Sequence, residues 1–210
     1  VEVMTDQDPR ILYDGPLAVV VNRLSASASE IFAGAIQDYQ RGLLVGERTF
    51  GKGTVQSLQE LDRGQLKITM AKFYRVSGES NQHKGIIPDI EYPSLIDREE
   101  IGESSLPHAL PSDNIRPAHY RKQHAIDSVI TYLRTAHSQR AAKDPEFQYV
   151  QDQFASLEAI RQKTAVSLNW KTREQEKHDL EEQRLTIENK RRAALGEPLL
   201  KSVKELKVVD

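Results

Sequence analysis

The stretch from Leu17 to Glu47 constrains this chain more than any other. An apolar run ending in three valines, "LAVVV" at 17–21, sits between Asp14-Gly15-Pro16 and Asn22-Arg23, a pattern that predicts a strand buried on both faces. A helix is predicted to follow, with Ala28, Ile31, Phe32, Ala35 and Ile36 on one face and Glu30, Gln37, Asp38 and Gln40 elsewhere. Gly42 closes it in the manner of a C-cap, and "LLVGE" at 43–47 supplies a second short apolar run. The order and size are those of a β-α-β unit with a parallel strand pair.

After this unit the period changes. Leu66, Ile68 and Met70 alternate with Lys67, Thr69 and Ala71, and "LDRGQ" separates them from "TVQSLQEL", which predicts an antiparallel hairpin. The β-rich part is expected to end at "GIIPDIEYP". Pro88, Pro93, Pro107, Pro111 and Pro117 then break up the chain, since each removes a backbone donor and restricts the residue before it. Helical spacing returns at Ile126, Val129, Ile130 and Leu133, and again at Val150, Phe154, Leu157 and Ile160. The fold class is therefore α+β. Residues 1–93 form the β-α-β core with its hairpin, 94–117 a proline-rich connection, and 118–210 a helical extension.

Composition fits this division. With 38% hydrophobic and 29% charged residues among 210, the chain has enough for one core plus an extended helical part. A net charge of −2 gives no general attraction to nucleic acid, and the mixed-sign run from Lys171 to Arg192 reads as a solvated or packing helix. Cysteine is absent, which excludes a disulfide framework, thiolate metal ligands and a thiol nucleophile. No apolar run approaches the roughly 18 residues of a membrane span. The chain starts in extended residues without an initiator methionine, so more protein is expected upstream of Val1.

Two stretches could carry chemistry. "GERTFGKG" places Gly46, Gly51 and Lys52 as in a phosphate-binding loop, but Gly53 occupies the position of the metal-binding hydroxyl, and a hairpin follows instead of a helix. Nucleotide binding is rejected on both counts. In "NRLSASASE", Ser27 and Glu30 have capping-box spacing. A serine between strand and helix is also where a nucleophile is presented, with the helix N-terminus favouring a developing oxyanion. Local sequence leaves both readings open. As a base, none of His83, His108, His119, His124, His137 and His178 has a triad pattern, and His119 and His124 lack a carboxylate set for a metal. Lysine remains. A basic lysine needs its pKa lowered from about 10.4 to about 7–8, roughly 4 kcal/mol, and Lys52 has only small or apolar neighbours that could desolvate it. A surface lysine beside flexible glycines is the plain alternative.

"NRLSASASEIFAGAIQDYQRGLLVGERTFGKGTVQ", residues 22–56, resembles the active-site core of the tail-specific proteases, also called carboxy-terminal processing peptidases. "KGIIPDIEYP", "IGESSLPHALPSDNI" and "SLNWKTREQE" resemble later segments and the C-terminal extension of the larger, Gram-negative type. The resemblance implies Ser27 as nucleophile, Lys52 as general base, Gln56 as the residue orienting the lysine, the Ala28 N–H as one oxyanion donor, and Asp38 as a supporting acid. It implies acyl-enzyme chemistry on proteins with apolar C-terminal tails, no cofactor, no metal, a periplasmic location, and room for a protein adaptor on the helical extension. The family's PDZ domain and the glycine-rich strand completing its oxyanion hole are not found here, so the isolated chain is expected to be inactive. Ser112 stands where the family commonly has tryptophan. The competing function class is a structural or adaptor-binding helical module without catalysis of its own.

Overall fold

The computed structural model describes residues 7, 8 and 10–206, so residues 1–6, 9 and 207–210, including the extended start and the last four residues of the extension, lie outside the description. Strand β1 (Ala18–Val21), helix α1 (Ala28–Asp38) and strand β2 (Leu43–Gly46) form the expected β-α-β unit. β2 pairs in parallel with β1 on one side and with the short β5 (Ile90–Glu91) on the other. Between them, β3 (Thr54–Glu60) and β4 (Gln65–Lys72) make a separate antiparallel hairpin with a bulge at Val55/Gln56. Leu61 and Gly64 close its turn, with Gly64 at φ 84°.

Two local expectations are corrected. β1 is an edge strand: Val21 is buried, but Val20 is 79% exposed, because β1 has a single strand partner and nothing described covers its outer face. Helix α1 turns its large apolar residues outward, leaving Phe32 54% and Ile31 49% exposed, and buries Glu30, Ala33, Gly34 and Asp38 instead. The reason is close approach. A methyl group on Gly34 would lie 3.3 Å from Ile86 Cδ1 and 3.4 Å from Arg75 Nε, so this face admits only small residues. The helix ends in a Schellman motif with Gln40, not Gly42, in the left-handed position at φ 53°: Arg41 N–H donates to Ile36 O at 2.9 Å and Gln40 N–H to Gln37 O at 3.0 Å. Gly42 instead lets the chain pass Leu17, whose carbonyl oxygen would meet a Cβ at 2.7 Å.

The core is a small cluster of Val21, Ala33, Leu44 and Ile86, flanked by Val19 and Ile36. The proline-rich stretch carries only a short 3-10 turn at Glu103–Ser105 before α2 (Ile130–Ala141). Helix α3 (Pro145–Arg161) starts from Asp144, whose carboxylate accepts from Glu146 and Phe147 N–H, with Pro145 at the first helical position. Helix α4 (Trp170–Leu195) packs on α3 and ends at Gly196 in the left-handed conformation, and the short α5 (Val203–Leu206) packs on α4. No described helix is long and apolar enough to cross a membrane.

Candidate active site

The site begins at the C-terminal end of β1, where the chain must turn from strand to helix within six residues. Ser27 takes that turn at φ 57°, ψ −113°, a backbone conformation costly for a residue with a Cβ, by about 1–3 kcal/mol. As the N-cap of α1 it is half-buried, while Ala28, the first helical residue, is exposed and has no intrahelical acceptor for its N–H. Ser27 and Glu30 are placed as a capping box, and the Glu30 carboxylate accepts from Ser27 N–H at 2.9 Å. Glu30 N–H also donates to the Ser27 carbonyl oxygen at 2.9 Å.

Glu30 does far more than cap. It is completely buried, and its carboxylate receives four donors. Oε2 accepts from Ser27 N–H and, at 2.8 Å, from Lys52 N–H. Oε1 accepts from Gly51 N–H at 2.7 Å and from the Thr49 hydroxyl at 2.5 Å. One carboxylate thus holds the backbone of both sequence-singled residues, Ser27 and Lys52. Burial pushes the Glu30 carboxyl above its ordinary value, opposed by bonds from Thr49, Gly51, Ser27 and Lys52. Thr49 Oγ1 in turn accepts from Ile86 N–H at 2.7 Å.

Lys52 is half-buried between the buried Gly51 and Gly53, and among the described residues its Nζ makes no ion pair or hydrogen bond. A Cβ on Gly51 would lie 3.0 Å from the His83 carbonyl oxygen, and one on Gly53 2.8 Å from Gln82 N, so the loop around the lysine lies tight against residues 82–85. Lys52 leads into strand β3 and not into a helix, as the alternating pattern after it predicts. Gln56 lies on β3 past the bulge, with Nε2 donating across the hairpin to Thr69 Oγ1 at 3.4 Å; no hydrogen bond joins it to Lys52. Asp38 is eleven residues along α1 from Ser27, buried, and paired with Arg75, whose Nε donates to Oδ2 at 2.9 Å. Ser77 Oγ donates to the same oxygen at 3.3 Å. Asp38 therefore fastens the end of α1 to the segment after β4.

Sequence reasoning missed three participants: the carboxylate hub role of Glu30, Thr49 beneath it, and Gln82, whose Oε1 accepts from Gly53 N–H at 2.8 Å. No spacing rule marks them, since Glu30 reaches Thr49, Gly51 and Lys52 across 19 to 22 residues of chain. Among the described residues no three metal-ligating side chains come together.

The model of peptidase family S41 matches residues 2–92, and the model of the C-terminal domain of tail specific protease matches residues 96–208. The second covers more than half of the chain, which belongs to the tail-specific protease family. A tail-specific protease of Haemophilus influenzae is 40% identical over 218 residues, spanning 98% of this chain. A carboxyl-terminal-processing protease of Synechocystis is 54% identical over 86 residues, 39% of this chain and 20% of that protein. The solved photosystem II D1 C-terminal processing protease shares 44% identity over 40% of this chain and 21% of its own, at a TM-score of 0.34, too low to argue from. The chain spans 31% of the length of the Haemophilus relative.

Proposed function

We propose that this chain is the catalytic-core and helical-extension portion of a serine endopeptidase that degrades or processes proteins from apolar C-terminal tails. Ser27 is the nucleophile and Lys52 the general base. The observation that carries this reading is the Glu30 carboxylate bonded to the backbone N–H of both residues, with Ser27 in a strained turn. Lys52, in its neutral form, takes the proton of Ser27 Oγ as that oxygen attacks a peptide carbonyl. The Ala28 N–H, at the start of α1, stabilises the tetrahedral oxyanion, and the protonated lysine then gives its proton to the departing amine. Water activated by Lys52 hydrolyses the acyl-enzyme. Gln56 orients the lysine in the substrate-bound state, and Asp38 supports α1 from its far end.

In a protease of the relatives' full length, further chain covers the apolar surface beside the site, where Leu24 is 62% exposed along with Ile31 and Phe32. Recognition of tails, the second oxyanion donor and desolvation of Lys52 belong to that chain, so the 210-residue chain alone is inactive. The protein acts in the periplasm, and an adaptor, where one is used, meets the helical extension. The test is cleavage of an unfolded protein with an apolar C-terminus by this chain, by a full-length protease carrying it, and by that protease with Ser27→Ala or Lys52→Ala. Turnover by the unaltered full-length protein only, with each variant down roughly 10⁴-fold or more, is expected. Wild-type turnover in either variant would sink the dyad.

A further inference from the structure

Arg23, four residues before Ser27, is only 3% exposed. Its guanidinium donates from Nη1 to Thr49 O and from Nε to Ile101 O, both at 2.5 Å, and from Nη2 to Arg98 O at 3.1 Å. Thr49 is the residue whose hydroxyl supports Glu30. Two residues past Ile101, Glu103 is also buried; its N–H donates to Phe50 O at 3.1 Å, and its carboxylate accepts from Gln82 Nε2 at 3.0 Å. The other end of the Gln82 amide accepts from Gly53 N–H. Residues 98–103 thus reach the serine loop through Arg23 and the lysine loop on both sides of Lys52, through Phe50 and Gly53. Gly102 makes the approach possible, since a Cβ there would lie 1.9 Å from Arg23 Nη2. This segment falls within residues 96–208, matched by the C-terminal domain model, not within 2–92, matched by the peptidase model.

We propose that residues 98–103 are a positioning brace for the catalytic site, in which Arg23 and Glu103 fix the distance between the Ser27 and Lys52 loops. The proposal rests on the dyad reading above. A guanidinium suits the task because its planar fork offers several fixed donors at once and keeps its charge, whereas an ammonium could not meet three carbonyls in one plane. The Gln82 amide suits the other side because it accepts from Gly53 while donating to Glu103. A brace of this kind changes turnover more than substrate affinity, since a displacement of about 1 Å between reacting groups can cost on the order of 100-fold.

The experiment is steady-state cleavage of an unfolded protein with an apolar C-terminus by a full-length protease carrying this chain, with melting temperature measured for every variant. Glu103→Ala is expected to lower kcat about 10- to 100-fold while KM stays within about twofold. Glu103→Gln, whose amide oxygen still accepts from Gln82, is expected to recover kcat to within about threefold of the unaltered enzyme. Gly102→Ala, which expels the Arg23 guanidinium from its place, is expected to act like Glu103→Ala. Unchanged kcat in Glu103→Ala, a loss confined to KM, or equal losses in Glu103→Ala and Glu103→Gln would each overturn the brace. Should Glu103→Ala not fold, Gly102→Ala decides by the same kcat and KM criterion. An active Ser27→Ala protein, or an inactive unaltered one, removes the dyad reading and this proposal with it, and is recognised without any brace variant.

Discussion

All four partners of Glu30 are donors, so its nearest isostere is a poor replacement. In Glu30→Gln the amide NH₂ must face either the Ser27 and Lys52 N–H groups or the Gly51 N–H and the Thr49 hydroxyl, so at least one buried backbone donor loses its acceptor. The expected outcome is a loss of about 1–3 kcal/mol in urea-induced unfolding, together with a fall in turnover in the full-length protease of roughly 100-fold. A Gln variant with the wild-type midpoint would show that the carboxylate is not what holds the two loops. Sequence reading reached Glu30, but only as a capping partner of Ser27. Its further contacts lie about twenty positions away, and nothing in the spacing of "NRLSASASE" and "GERTFGKG" reports that one oxygen pair serves both. Asp38 carries a separate cost. It and Arg75 are both largely shielded from water, so Asp38→Ala removes the nearest counter-charge of that guanidinium, leaving it Gln37 Oε1 at 2.9 Å and the Glu79 carboxylate at 3.8 Å, and is expected to destabilise the chain by about 1–3 kcal/mol in the same assay.

Elements were legible where periodicity settles them. The β-α-β order, the hairpin and helices α2 and α3 follow from apolar spacing, though α2 starts only at Ile130, and α4 follows from its mixed-sign charge run, whereas the burial of β1 and α1 did not. A wheel plot locates the apolar stripe of α1 but cannot say that Ala33 and Gly34, by permitting close approach, make the opposite face the packed one. The docking of α2 is another contact that sequence does not announce. His137 on α2 sits 8% exposed in an aromatic cluster, its ring 5.0 Å from Tyr92 just past β5 and 5.5 Å from Phe147 on α3. Arg140 donates to its Nδ1 at 3.3 Å, and Asp144 and Glu146 line the same hollow. Burial, then the charge of Arg140, lowers the His137 pKa below 6.5. Below that value the unfolded chain binds a proton that the folded cluster resists, so this contribution to stability is whole above 6.5 and is lost as pH falls toward the lowered value. The urea midpoint is expected to drop between about pH 7.5 and about pH 5.5, and less steeply in His137→Gln. Equal slopes would remove His137 as the cause.

At the scale of the whole molecule, buried polar side chains outnumber buried apolar ones among the described residues, with Arg23, Glu30, Thr49, Gln82 and Glu103 inside and only a small aliphatic cluster beside them. Cohesion therefore rests unusually on satisfied hydrogen bonds. Thr49→Val keeps the shape but leaves a Glu30 oxygen short of one donor and the Ile86 N–H without its acceptor, so it is expected to cost about 1–3 kcal/mol. Ile86→Val, deleting one methylene from the cluster, is expected to cost about 0.5–1.5 kcal/mol. The reverse order in parallel denaturation curves would show that packing dominates after all. The division drawn from the prolines sets residues 94–117 apart as a connection before the helical extension, and Arg23 grips carbonyls at 98 and 101 inside that connection. Grafting a foreign helical extension onto this core at Pro93 would carry away the acceptors of a buried guanidinium, whereas joining it after Pro117 would leave them in place. The useful splice point for hybrid proteases is thus the far end of the proline-rich connection, so that a foreign extension arrives without its own leading loop.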